Sequence, residues 1–198
     1  MMVAALFVQP RGCYANLPDV DPWDEARDAR KYAGPHPVVA HPPCSRWCQL
    51  AHGNQARYGH KVGDDGGAFA SALASVRKFG GVLEHPAWTM AWDAFDLPEP
   101  PDRGWQRTMC GGFVCEVSQR NYGHAARKAT WLYAYGVELP DLVWGHGPEP
   151  EAWCSQSTNH GTTDKRRLGK REASATPPAF RDVLLAMART FRGGMVGQ

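Results

Sequence analysis

The sequence predicts an α/β domain built on a mostly parallel sheet. Short apolar runs, Val3-Ala-Ala-Leu-Phe-Val8, Val38-Val39-Ala40 and Val82-Leu83, have the length and composition of buried strands. One stretch of helical period lies between the second run and the third, an order that needs a crossover. A second amphipathic stretch closes the chain.

The elements follow in order. The first strand is bounded by the breaker Gln9-Pro-Arg-Gly12, and the second is stopped by Pro42-Pro43. A helix is predicted from about Ala68 to Phe79, with Phe69, Ala72, Leu73 and Val76 on one face and Asp64 or Asp65 as its cap. Gly80-Gly81 stops it, and the strand beginning at Val82 ends at Pro86. Residues 87–108, rich in Trp, Pro and Asp, read as a loop. Gly112–Val117 and Thr130–Tyr135 are two further strands that can pair around a long loop. The final helix is predicted from about Pro178 to Phe191, with Pro in its first turn and Thr176 as its cap. The 198 residues make one domain, in which 137–175 form a loop-rich small lobe.

Composition narrows the class. A hydrophobic content of 43% with 21% charged residues is that of a globular chain. No apolar run is long enough to span a membrane, and the N-terminus lacks a basic region followed by an apolar one. A cytoplasmic chain without membrane contact is expected. The six cysteines, at 13, 44, 48, 110, 115 and 154, are then free thiols. The net charge of +2 neither demands nor excludes nucleic acid. Arg127-Lys128, Lys165-Arg166-Arg167 and Lys170-Arg171 are local basic clusters, each readable as an ordinary solvated surface.

The stretch His41-Pro-Pro-Cys-Ser-Arg-Trp47 puts a thiol on a stiff turn at a strand end. Glu84 lies in the next predicted strand. In parallel sheets, functional residues gather beyond the carboxyl ends of the strands, so Cys44 and Glu84 are expected on one rim. A thiolate can add to carbon 6 of a pyrimidine, which makes carbon 5 nucleophilic, and an acid at ring nitrogen 3 assists. A nearby cation helps to keep the thiol ionised.

These residues also carry a resemblance. Pro42-Pro43-Cys44 resembles the catalytic loop of DNA cytosine-5 methyltransferases. Val82-Leu-Glu-His-Pro86 resembles their Glu-Asn-Val segment, and Tyr122-Gly-His124 through Leu132 their Tyr-Gly segment with basic residues and a strand. The likeness is greatest to short bacteriophage proteins of this type, which end as Ser174-Ala-Thr-Pro-Pro-Ala-Phe180 does here. The resemblance implies a reduced Rossmann-like methyltransferase fold, an infected bacterial cell as the setting, and DNA as partner with its target base flipped or single-stranded. It implies Cys44 as nucleophile, Glu84 as the group on the cytosine edge, and Arg127 and Lys128 as the supporting basic pair. Pro43, Ser45, Arg46, His85, Trp88 and His124 would line the base. S-adenosylmethionine, or another one-carbon donor, would meet Phe7, Gly12, Asp21 and Asp28. The chain departs from the family in having one glycine after the first strand, and too short a segment before Cys44 for the usual helix and second strand.

Other chemistry competes for the same residues. Cys44 can be a buried structural cysteine. His41, Cys44, Cys48 and His52 can be read as a metal set, with Trp47 and Leu50 marking a helical turn. The tryptophans can stack on bases or fill the core; the loop at Trp88 and Trp92 is the strongest stacking candidate. A catalytically inactive module that binds DNA or a host protein is the alternative function.

Overall fold

The structure is a computed structural model that describes residues 1–48, 51, 59–154 and 165–193. Its main sheet has seven strands: β1 (Val3–Leu6), β2 (Val20–Trp23), β3 (Val38–Ala40), β4 (Gly81–Pro86), β5 (Gln106–Arg107), β6 (Phe113–Ser118) and β7 (Ala129–Tyr135). Their order is β2-β1-β3-β4-β7-β6-β5. The first four are mutually parallel, whereas β7, β6 and β5 add antiparallel. The fold is therefore mixed α/β, with a parallel half and an antiparallel half.

Helix α1 (Ala68–Phe79) covers one face and α4 (Pro178–Arg189) the other. Side chains of a strand alternate between faces, and the core divides accordingly. Ala4, Leu6, Val38, Ala40 and Leu83 pack with Phe69, Leu73 and Val76 of α1. Val3, Ala5, Val39, Val82 and Leu132 pack with Phe180, Leu184 and Leu185 of α4. Two covered faces explain why β1 and β3 read as unbroken apolar runs.

The crossover from β3 through α1 to β4 has the predicted bounds for its helix. Gly67 occupies its cap position, not Asp64 or Asp65; Asp65, two residues earlier, accepts from the amides of Gly67 and Phe69 at 2.9 and 2.8 Å. Gly81 opens β4 at φ 131°, where a Cβ would stand 1.9 Å from the carbonyl oxygen of Val38. Only glycine fits that approach.

Several expectations are corrected. The first strand stops at Leu6 because Phe7 turns left-handed, φ 59°. A second strand does precede Cys44: β2 pairs with β1, reached through turns instead of a helix. The presumed loop 87–108 contains helix α2 (Met90–Ala94) and strand β5. The small lobe contains a parallel pair, β8 (Ala152–Cys154) and β9 (Arg166–Leu168), then helix α3 (Lys170–Ser174). Thr176 does not cap α4; Pro177 occupies that position and no side chain caps it. No helix among the described residues is long and apolar enough to cross a membrane.

Candidate functional site

The loop after β3 is fastened on both sides of Cys44. The amides of Trp47 and Cys48 both donate to the Cys44 carbonyl, at 2.9 and 3.0 Å, closing one tight turn. Trp47 is buried beside Phe69 and Phe95, and its indole N–H donates to Asp65 at 2.8 Å. The same carboxylate accepts from the Phe69 amide in the first turn of α1, so one acid ties the loop to the helix. The Trp47 carbonyl accepts from the Met90 amide at 2.9 Å. Pro42 is buried, Pro43 and Ser45 are exposed, and Cys44 and Arg46 are half-buried.

On the other side of Cys44, His41 prolongs β3 by one rung, its amide donating to the Leu6 carbonyl at 3.0 Å. Ala40 pairs with Leu83, which sets His41 level with Glu84 of β4. Both side chains point to the α4 face. His41 Nδ1 lies 2.9 Å from Glu84 Oε2, and Nε2 lies 2.8 Å from the Tyr14 hydroxyl. The Gln119 amide donates to Glu84 Oε1 and to the Thr130 hydroxyl, both at 3.0 Å. Glu84 is 7% exposed and Gln119 and Thr130 are fully buried. The result is a connected, largely buried polar chain, where satisfied hydrogen bonds count most; Gln119 Oε1 is its one buried atom without a partner among the described residues.

Burial pushes the Glu84 carboxyl up, but the His41 hydrogen bond, then Lys128, His41 and His85, more than offset it and bring it to about 2. Glu84 is a carboxylate at neutral pH. The Cys44 thiol is pushed up, first by burial and then by Glu84 and Cys48, with Lys128 acting against them. Tyr14 is raised well above its ordinary value by burial, then by Cys13 and Glu84. Cys44, Glu84 and Lys128 therefore share one local field. The Lys128 ammonium donates to the Ser174 and Ala175 carbonyls at 3.2 and 3.1 Å, between α3 and α4.

The remaining candidates disperse. Arg127 pairs with Glu149 at 3.4 Å on the small lobe, so only Lys128 of the basic pair joins the site. His85 does not face the rim. It is fully buried on the α1 face, bonded to Thr89 at 2.8 Å and stacked on Trp92. His124 is buried, and its ring is spent on the backbone of Ala126 and Glu172. Phe7 packs against the α1-side core. Gly12 closes a turn onto the Gln9 carbonyl at 2.9 Å. Asp21 accepts from Trp23 and Arg27, and Asp28 from Arg30. Trp88 is 54% exposed with a left-handed φ of 57°, beside a cleft shared with Met90, Asp93, Glu99 and Trp131. Trp47, Trp92 and Trp131 are core.

All six cysteines are free. Among the described residues no His, Cys, Asp and Glu group could hold a metal ion; His52 and Leu50 lie outside them. Tyr14 and Gln119 are members of the polar chain that the sequence did not mark. No family model matches the chain, and no match is found among curated proteins.

Proposed function

We propose that the chain is a pyrimidine-modifying enzyme of a reduced, Rossmann-like methyltransferase type, acting on DNA through Cys44. The observation that supports this most is the shared field of Cys44, Glu84 and Lys128 at the carboxyl edge of β3 and β4. The strand order reverses at β1, with β2 on one side and β3 on the other. Ligands of open α/β sheets bind outside the strand ends at such a point.

In the proposed reaction the Cys44 thiolate forms a bond to carbon 6 of the pyrimidine. That addition displaces the carbon 5–carbon 6 π electrons into an enamine across carbons 4 and 5, which then attacks a one-carbon electrophile from carbon 5 as the donor's leaving group departs. Loss of the carbon 5 proton to a base restores the double bond and expels the thiolate. Each oxygen of Glu84 already accepts one hydrogen bond, and a carboxylate offers about four acceptor sites. Acceptor capacity thus remains for an exocyclic amine. A base inside a duplex would have to be flipped out to reach the thiol.

S-Adenosylmethionine is the donor implied by the resemblance, but the residues expected to hold it do not fit. Asp21 and Asp28 are engaged by neighbouring arginines, and half-buried Phe7 packs against the α1-side core. The donor is accordingly proposed by class alone, as a one-carbon electrophile. The occupied oxygens of Glu84 also favour a second reading, a binding module without turnover.

A donor-free trap separates the two. DNA carrying pyrimidin-2-one, an electron-poor ring that adds thiols at carbon 6, should form a covalent adduct mapped to Cys44 by mass spectrometry. Cys44→Ser should form none while keeping its circular dichroism. Binding of the DNA without adduct would leave the module reading and remove the enzyme.

A further inference from the structure

A second group of polar side chains gathers around a thiol on the turn that joins β5 to β6. Thr108-Met-Cys-Gly-Gly112 closes on itself. The Thr108 amide and hydroxyl donate to the Gly112 carbonyl at 2.8 and 3.1 Å, and the Gly111 amide donates to the Thr108 carbonyl at 3.1 Å. A Cβ on Gly112 would stand 2.5 Å from the Tyr133 hydroxyl, so glycine lets the turn settle over that phenol. Cys110 is exposed, beside a fully exposed Met109.

Three side chains converge on the Cys110 sulfur. Arg77, in the last turn of α1, donates to it through Nη2 at 3.2 Å. The same guanidinium donates through Nε to the Tyr133 oxygen, also at 3.2 Å. The hydroxyl hydrogen of Tyr133 is then left for the sulfur, 3.5 Å away. The Thr108 oxygen lies 3.0 Å from it. A guanidinium has no lone pair to accept an S–H, so the arrangement suits a thiolate better than a thiol. A thiolate also balances Arg77, which is half-buried and has no carboxylate partner among the described residues. Burial pushes the Cys110 thiol up, but Thr108, Tyr133, the Gly112 amide and Arg77 outweigh it and bring it to about 7. Arg77 from α1 and Tyr133 from β7 are the titratable groups that bear on it. Burial drives Cys13, Cys44, Cys115 and Cys154 the other way.

We propose that Cys110, Arg77, Tyr133 and Thr108 form a thiol–disulfide exchange site for small anionic disulfides. The Cys110 thiolate attacks one sulfur of the disulfide. A bond forms between these two sulfurs as the original S–S bond breaks, and the other half leaves as a thiolate that takes a proton from water. Cys110 is oxidised, the departing half is reduced, and no further reactant is needed. Exchange favours an attacking thiol that titrates near the ambient pH. The mixed disulfide no longer balances Arg77, and a carboxylate on the adduct takes over that role, which selects anionic disulfides. Cys115, the next cysteine in sequence, is buried on the α4 side. The adduct therefore waits for an external thiol to remove it.

The test is the rate at which oxidised glutathione modifies each cysteine of the full chain between pH 5 and 10, read by peptide mass spectrometry. It needs neither DNA nor donor and is independent of the chemistry assigned to Cys44. Cys110 should react first, at a rate that reaches half its plateau near pH 7. In Arg77→Gln and Tyr133→Phe the midpoint should move towards the value of about 8.5 for an unassisted thiol. The variants should be about threefold slower at neutral pH and no slower in alkali, because a more basic thiolate is the better nucleophile. Cystamine, a cationic disulfide, reads the selectivity. The ratio of glutathione to cystamine rates should fall about threefold in Arg77→Gln, and an unchanged ratio overturns the anionic preference. A wild-type midpoint at 8.5 or above, or variant profiles that match the wild type, overturns the site. The wild-type profile decides alone should either variant fail to fold.

Discussion

Gly81 and His41 mark two ends of what single positions reveal. The pair Gly80-Gly81 announces a helix stop in any context, and it stops α1 here. The close approach of Gly81 to Val38 adds a tertiary reason for the second glycine. Gly81→Ala should cost about 3 kcal/mol or more, because both the positive φ and the contact with a backbone oxygen oppose a Cβ. For a chain of this size that lowers the melting temperature by about 10 °C, which differential scanning calorimetry would register. His41 is the opposite case. Beside Cys44 and Cys48 it invited a metal-ligand reading, but its two nitrogens are taken by Tyr14 and Glu84. Those partners lie 27 and 43 residues away in sequence, and no local pattern names them.

Elements with strong periodicity were legible, and short ones were not. Helix α1 has an apolar face at i, i+3, i+4 and i+7 and glycines at both ends, so its bounds follow from composition. Helix α4 was equally visible, though it ends at Arg189. β2 contains Pro22 and is only half-buried after Val20, which argues against a strand; it survives as an edge because β1 offers a partner. α2 has five residues, too few to show a period. The burial of α4 makes a graded prediction. Leu184 is fully buried against the sheet, and Leu184→Ala should destabilise by about 3 kcal/mol. Arg189→Ala, on the exposed side of the same helix, should change stability by about 0.5 kcal/mol or less. Urea unfolding of the two variants would check the contrast.

Across the fold, two buried ionisable groups set the response to acid. His85 titrates near 4 instead of 6.5, chiefly because burial penalises its charged form. Between those values the unfolded chain binds a proton that the folded one refuses, so stability falls as pH falls. Glu84 titrates near 2 instead of 4.5. Its stabilisation is complete above 4.5 and is lost as pH drops towards 2. The windows adjoin, and each is worth about 3 kcal/mol by linkage. Urea midpoints should decline from pH 6.5 downward. His85→Gln should flatten the upper part of that decline, between pH 6.5 and 4, and leave the lower part in place. An unchanged upper slope would refute the assignment.

The strands β1 and β3, the crossover helix and the hairpin of β6 with β7 were set by short windows of sequence, because period, turn residues and capping act over a few neighbours. Cys44 and Glu84 could be placed on one rim for the same reason: Cys44 follows one strand of a predictable parallel pair and Glu84 lies in the other. Strand order, the register of Ala40 on Leu83 and the choice of covered face are different in kind. They depend on packing between segments far apart in the chain. That packing turned Glu84 towards His41, sent His85 into the core and drew Arg127 to Glu149. A polar side chain takes its partner from whatever the sheet brings beside it, and only the folded chain makes that choice.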